Sequence, residues 1–386
     1  MVYAEAVSMV PEQPTFTIGV EEEYFVVDRD TRNLVPDLPN RLLAALESPP
    51  VGMTSPEFIR SQVEIGTPVS QDVAELSEYL GVMRRFVSDT VSEWNMAIIA
   101  ASTHPFAVWG DQRRTDKERY HMLEEALQGV VRRLLICGMH VHVAIGDEDL
   151  RIDLMNQVSY FLPHILALSG SSPFWHGVDT GLKSYRPAVF RALPRTGIPD
   201  EFSDWAEYQR HVDVLVNTGV IEDSTKLWWD IRPSARYPTI EMRSSDTCTR
   251  HADAITVAAL YQALLAMLYE RRMQNQRWRV YSRMLIAENN WRAQRYGVDE
   301  SLIDFGRGEL VPMQELADEL VELVAEPAAR LGSYDAVARV RGITANGTSS
   351  DRQRAVRDAS LVDGATNHES LCAVVDHLIE ETLEGV

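Results

Sequence analysis

The chain has 386 residues, 45% hydrophobic and 24% charged, enough to bury a large core in one domain or two closely joined ones. With 57 acidic against 37 basic residues its net charge is −20, which argues against a nucleic-acid partner but leaves room for a local basic pocket. Cys137, Cys248 and Cys372 form no C-x-x-C pair and no even framework, and no run of about 18 apolar residues stands out. The expectation is a reducing cytoplasm with no disulfides and no membrane partner.

Residues 1–14 lack the basic start and apolar stretch of a signal peptide and read as a flexible leader, with residues 15–386 as a single domain. Thr15 to Asp28 alternates and is rich in β-branched and aromatic residues, which predicts a strand. Asp37 to Pro56 holds a short helix between proline-rich turns. Ile59 to Pro68 predicts a strand with Arg60, Gln62 and Glu64 on one face, ended by a proline that cannot continue a ladder. Gln71 to Asn95 is helical, since Val73, Leu76, Leu80, Met83, Val87, Val91 and Trp94 recur at helical spacing. A short buried strand over Met96 to Ser102, a helix over Asp116 to Val131 and a strand over Leu134 to Ile145 follow, then a long helix from Asp147 to Leu168 that stops before Gly170.

Ser171 to Pro199 has no periodicity and carries Lys183, Arg186, Arg191 and Arg195, the composition of a binding loop or lid. A helix over Phe202 to Thr218 precedes strands at Leu227 to Ile231 and Pro238 to Ser245. The last third is helical: His251 to Arg272, on to about Arg295, Met313 to Leu331, and His368 to Leu383. A polar stretch, Arg341 to Gly364, has a hinge-like centre at Asn346 to Ser350. Together these elements predict an α+β fold, a mostly antiparallel sheet with helices packed on one face.

Three of the predicted strands carry unusual side chains. Successive strand residues alternate faces, so Glu21 and Glu23 share a face, as do His140 and His142, and Glu241 and Arg243. Burying that many unpaired charges is costly, and a bound divalent metal is the simplest relief. Carboxylate oxygens suit magnesium or manganese, which keep waters and substrate phosphates in their shells. Zinc fits less well, because Cys137 has the opposite parity to His140. Arg186, Arg232 and Arg243 lie in or beside these segments, and a guanidinium grips phosphate bidentately. Each motif alone also reads blandly, as a solvated strand edge or a pair of satisfied histidines. Their coincidence is what points to a site.

At these residues the chain resembles a known family. Gly19-Val20-Glu21-Glu22-Glu23-Tyr24, Glu64-Ile65-Gly66-Thr67-Pro68, Gly138-Met139-His140-Val141-His142-Val143, Trp229-Asp230-Ile231-Arg232-Pro233 and Thr239-Ile240-Glu241-Met242-Arg243 are similar to the bacterial carboxylate–amine ligases of glutamate–cysteine ligase family 2. Ser171 to Trp175, Thr180 to Arg186 and Asp351 to Arg354 fit as well, so the likeness runs in order from about residue 16 to 355. The resemblance implies a glutamine-synthetase-like catalytic fold, a curved sheet holding ATP and magnesium (or manganese). It implies Glu21, Glu23, Glu64, His140 and Glu241 as metal ligands, joined by Glu57 from a turn or bulge. His142 and Lys183 would meet substrate or ATP, Arg232 and Arg243 the transferring phosphate, with Arg186 in the same catalytic set. The implied reaction joins glutamate to an amine, cysteine foremost, through a γ-glutamyl phosphate. A ligase using another amine, a phosphotransferase acting on a carboxylate or guanidino group, and a non-catalytic nucleotide-binding protein are the alternatives. The leader and the acidic C-terminal third are the segments that would serve a homodimer.

Overall fold

A computed structural model of the chain describes residues 13–116 and 118–386. The leader expected over residues 1–14 therefore lies almost entirely outside the described residues.

Seven strands form the main sheet: β1 (Ile18–Asp28), β2 (Met53–Pro56), β3 (Gln62–Gly66), β4 (Met96–Ile99), β5 (Met139–Ala144), β6 (Ile231–Pro233) and β7 (Thr239–Met242). Their order is β6-β7-β5-β1-β3-β2, with β4 beside the far half of β1, and every pairing in this sheet is antiparallel. The predicted fold class is the one observed.

Alternation along β1 divides the molecule. Ile18, Val20, Tyr24 and Val26 point into the larger core, together with Val141 and Val143 of β5 and Ile240 and Met242 of β7. Helices Val73–Ser92, Glu148–Val158 and His251–Met273 cover this face. The first starts at Asp72, whose carboxylate accepts the Glu75 N–H at 2.9 Å, and buries the stripe from Leu76 to Val91. The opposite face of β1 carries Glu21, Glu23, Phe25 and Val27 in turn. Phe25 and Val27 enter a second, smaller core closed by Leu371, Val374, Val375 and Leu378 of helix Asn367–Thr382. Only the stretch with the two glutamates faces a cleft.

Glu22 is the exception to a purely apolar core face. It is fully buried and paired with Arg84 of helix Val73–Ser92, at 2.7 and 2.9 Å. Arg84 also donates to the carbonyls of Cys248, Thr249 and Thr382, so this one guanidinium ties β1 to two later parts of the chain. Nothing in the strand pattern announced its partner.

Several expectations need correction. The helix expected from Asp147 to Leu168 is two helices, Glu148–Val158 and Leu162–Ser169, joined by a tight 3₁₀ turn at Ser159–Phe161. The hinge-like Asn346 to Ser350 is a junction: Gly347 at φ 81° ends one helix, and a capping box of Thr348 and Asp351 starts Ser349–Val362. A hairpin of Ser301–Asp304 and Glu309–Pro312 was not foreseen. Helix His251–Met273 is long and apolar enough to cross a membrane, with mean hydropathy 1.5 in its most apolar window, yet 94% of that window is buried inside the protein. It is a core helix. All three cysteines are free.

Candidate active site

Pairing register assembles the site. On β1, Glu21 stands opposite Gly66 of β3 on one side and His140 of β5 on the other. Glu23 stands opposite Glu64, His142 opposite Glu241, and Glu241 opposite Arg232. Residues far apart in sequence thus line one cleft of about 450 Å³, which includes Glu21, Glu23, Glu57, Glu64, His140, His142, Arg232, Glu241 and Arg243.

The acidic groups fall into two sets. Glu21, His140 and Glu241 each offer a ligand atom within 4.8 Å of the others, and so do Glu23, Glu57 and Glu64. In the first set His140 Nδ1 is 3.1 Å from Glu21 and 4.0 Å from Glu241. Burial opposes ionisation of Glu21, but the imidazoles of His140 and His142 outweigh it and hold the carboxyl far below its ordinary range. Burial likewise opposes ionisation of Glu241, and Arg243 and Arg232 override it. His140 is pushed down to about 4 by burial and by the charge of Arg243, so it presents a neutral imidazole at neutral pH.

The second set has too few donors. Glu23 accepts the Gly138 N–H at 2.7 Å, Glu57 its neighbour Phe58's N–H at 2.9 Å, and Glu64 the Ser55 hydroxyl at 2.6 Å. Burial and repulsion from Glu64 raise Glu23 to about 7. Burial, then Glu64 and Glu23, raise Glu57 well above its usual value, and burial with the charge of Glu21 raises Glu64. Three crowded carboxyls with one hydroxyl and two backbone donors are under-neutralised, since the charges of Arg186 and Arg243 only partly offset burial and mutual repulsion. An oxygen-rich set of this kind fits a hard divalent ion such as magnesium or manganese. Buried His142 Nε2, without a hydrogen-bond partner among the described residues and 3.6 Å from Glu21, also suits a ligand, because Thr239 holds its Nδ1 at 2.9 Å.

Glu57 reaches the acidic set from a turn, one of the two placements that the family resemblance implied. It lies in the turn between β2 and β3, just past Pro56, and so reaches Glu64 from outside the ladder. Strand β2 was missed, and with it Ser55, directly opposite Glu64. The alternation of Met53-Thr54-Ser55-Pro56 beside Val63 and Ile65 was the available signal, masked by the flanking prolines.

The arginines divide. Arg243 follows β7, binds Glu241, and has Nη1 3.4 Å from His140 Nδ1. Arg186 lies flat against Gly138 and donates to the Arg243 carbonyl at 3.2 Å; any Cβ on Gly138 would fall 2.4 Å from its Nη2, so the approach requires glycine. Arg232 is already spent. Its Nε and Nη2 bind Glu241 at 2.8 and 3.3 Å, and Nη1 binds the carbonyls of Thr225 and Leu227 at 2.8 Å each. It orients Glu241 and has no edge left for phosphate. Lys183 does not line the cleft: its amine pairs with Asp299 and Asp351, and its stem packs against Gly297. Of the segment Ser171 to Pro199, the part up to Ser184 is not a lid, because Asp246 accepts from Ser171, Ser172 and Ser184 and fixes it to the body of the protein, whereas Phe190 and Leu193 further along line the cleft.

The chain is an enzyme of the glutamate–cysteine-ligase-like, ATP-dependent ligase class. The chain belongs to glutamate–cysteine ligase family 2, whose profile matches residues 17–377. It is 58% identical over 375 residues to a Rhodospirillum rubrum protein provisionally named glutamate–cysteine ligase 2, covering 96% of each chain. A Sorangium cellulosum protein with the same provisional name is 45% identical over 376 residues, covering 96% of this chain and 97% of its own. The fold is also that of the Francisella tularensis glutamate–cysteine ligase solved in complex with AMP, with TM-score 0.67 at 13% identity over 97% of this chain and 90% of that one. A bifunctional glutathione synthetase from Pasteurella multocida matches equally well, with TM-score 0.67 at 14% identity over 96% of this chain and 53% of that one.

Proposed function

We propose that this ligase joins the γ-carboxylate of glutamate to an amine at the expense of ATP, with cysteine as the leading acceptor. The observation that carries the reading is the pair of acidic sets on one sheet face, with Arg243 bridging toward both Glu241 and His140. A carboxylate is a poor electrophile because its leaving group would be oxide. Attack by a γ-carboxylate oxygen on the γ-phosphorus of ATP expels ADP and leaves an acyl phosphate. The amine nitrogen then attacks the acyl carbon, phosphate departs with the bonding pair, and the nitrogen loses a proton. Magnesium or manganese, held by Glu21, His140 and Glu241 and by Glu23, Glu57 and Glu64, would supply charge neutralisation for the triphosphate. Arg243 adds a fixed positive charge, and Arg186 holds the Arg243 backbone in place. Most of the acceleration comes from removing anion–anion repulsion and aligning the reactants.

The direct test is ADP release. Magnesium-saturated protein is expected to release ADP and phosphate only when glutamate and an amine are both present, with an amide identified by mass spectrometry. A phosphorylated product without amide, or no ADP with any amine, refutes the reading. A second expectation concerns Arg232. Arg232→Lys keeps the charge but loses the fork on Glu241, and should raise the magnesium concentration needed for half-maximal turnover by about 10–100-fold. An unchanged magnesium titration would show that Glu241 is oriented without it.

A further inference from the structure

A second cavity, of about 290 Å³, borders the hairpin between β6 and β7. Ser234, Ala235, Arg236 and Tyr237 line this cavity and the cleft alike, so the hairpin is a shared wall. The other walls come from the start of helix Glu148–Val158, which supplies Arg151, and from helix Trp205–Asn217, which supplies Trp205 and Tyr208. None of those three side chains lines the cleft.

Arg151 is 6% exposed, and its Nε is buried with no hydrogen-bond partner among the described residues. Its Nη2 reaches the Gly146 carbonyl at a long 3.4 Å. Its ion pair is with Glu148, 3.9 Å away and 57% exposed. The guanidinium lies over the Trp205 ring, 5.0 Å from the centroid, which holds it in place without satisfying an N–H. Burial lowers the pKa of Arg151, and Glu148 and Asp147 oppose that only in part. A guanidinium keeps its charge at any working pH, so buried donors of this kind call for an acceptor. The same orphaned Nε occurs at Arg186 and Arg243, which belong to the active site, and at Arg352, which is ion-paired with Glu381. Of these four, Arg151 is the one that lines a separate cavity.

The rest of the lining suits an anion with several oxygens. Ser234 Oγ accepts the N–H groups of Arg236 and Tyr237 at 3.3 Å each, which leaves its own hydrogen to donate. The Ser224 hydroxyl bonds to the Tyr208 phenol, and both face the cavity. Exposed Arg236 adds a second guanidinium at the rim. Two guanidinium groups against the single carboxylate of Glu148, with hydroxyls between them, match a dianion with more than two acceptor oxygens. A phosphate group has both, and a carboxylate has neither. The shared wall also reaches the reacting centre, because the Tyr237 ring stands edge-on to His142 with centroids 6.2 Å apart.

We propose that the cavity beside Arg151 is a second ligand site, separate from the reacting centre, that binds a phosphate group, free or as a monoester, and that its occupancy stiffens the hairpin it shares with the cleft. The site stands whether or not the ligase reading does, and its test needs no turnover. The full chain is titrated by calorimetry with inorganic phosphate, glycerol phosphate and acetate, in chelator and without nucleotide, so that the carboxylates of the cleft repel anions. Arg151→Gln should weaken phosphate binding by about 10–100-fold, with Arg151→Lys in between. Acetate should bind wild type at least about tenfold more weakly than the better phosphate probe. The tighter of the two phosphate probes tells whether the ligand is the free ion or a monoester. Amide hydrogen exchange at residues 205–208 and 234–237 should slow when wild type is saturated with phosphate. That last measurement decides the matter even if Arg151→Gln does not fold. No binding of either phosphate, acetate binding as tightly as phosphate, or an affinity unchanged in Arg151→Gln overturns the proposal. So does slowing confined to residues 19–24 and 138–143, which would put the phosphate in the cleft.

Discussion

Replacing Glu23 by glutamine is expected to lower turnover by at least about 100-fold while making the metal-free protein more stable. The two effects have opposite signs because one carboxylate serves two purposes. Without a metal ion, Glu23 is half-buried beside Glu64 and Glu57, and its pKa rises from 4.5 to about 7. A carboxyl raised on folding contributes stability that is fully present below its unfolded value and is lost as pH rises through its folded one. Glu23 should therefore contribute a loss of stability between about pH 4.5 and pH 7, read as the difference between wild type and Glu23→Gln, because His104, His140 and His164, pushed down to about 4, act in the opposite direction in both proteins. Glu57 and Glu64 are raised too and share that titration. The loss due to Glu23 is at most on the order of 3 kcal/mol. Glutamine has the same shape and no charge, so Glu23→Gln should remove that contribution and raise the melting temperature of metal-free protein above that of wild type near pH 8 by about a few degrees, with the gap closing toward pH 5. Magnesium should stabilise wild type more than the variant. Thermal melts from pH 5 to pH 8, with chelator or with magnesium, decide the matter. A variant that melts lower than wild type without metal would show that the cluster is not strained by charge. A variant that turns over normally would remove Glu23 from the ligand set.

The second large effect lies on the other face of the same strand. Arg84→Leu should destabilise the protein by about 3–5 kcal/mol, because it leaves Glu22 charged and fully buried with no counterion. Three backbone carbonyls, those of Cys248, Thr249 and Thr382, lose a donor at the same time. Replacing the pair by apolar residues of similar volume, Glu22→Leu with Arg84→Leu, should recover most of the loss. Denaturant unfolding of the single and double variants measures the coupling. A single variant within about 1 kcal/mol of wild type would contradict this account. The pair also bears on the cleft. A one-residue slip of β1 would send Glu21 and Glu23 into the core and Glu22 into the cleft. Arg84 waits for a carboxylate on the core side and so favours the register that exposes the other two.

Much of the site was legible from strand parity and from the family resemblance. Alternation put Glu21 with Glu23 and His140 with His142 before any fold was known, and the pairing of β1 with β5 then joined the two motifs. Glu57 came from the family resemblance alone, and the structure places it in the turn between β2 and β3. Lys183 and Arg232 were misread for one reason. Residue type announces what a side chain is able to bind, whereas its actual partner depends on what the rest of the chain brings near. Lys183 is taken by Asp299 and Asp351, and Arg232 by Glu241 and two carbonyls, partners that only folding supplies. The irregular composition of Ser171 to Pro199 said nothing of Asp246, which is more than forty residues further on and holds the part up to Ser184 down.

What the amino-acid order determined by itself is local: which residues alternate, where helices start and stop, and which segments carry carboxylate or imidazole, because these follow from backbone geometry a few residues at a time. Tertiary structure decided the strand order β6-β7-β5-β1-β3-β2, and with it the split into two acidic sets and the pairing of Arg232 and Arg243 with Glu241. Cross-strand neighbours are set by packing a whole face at once, and a charge finds its counterion only after that face has closed.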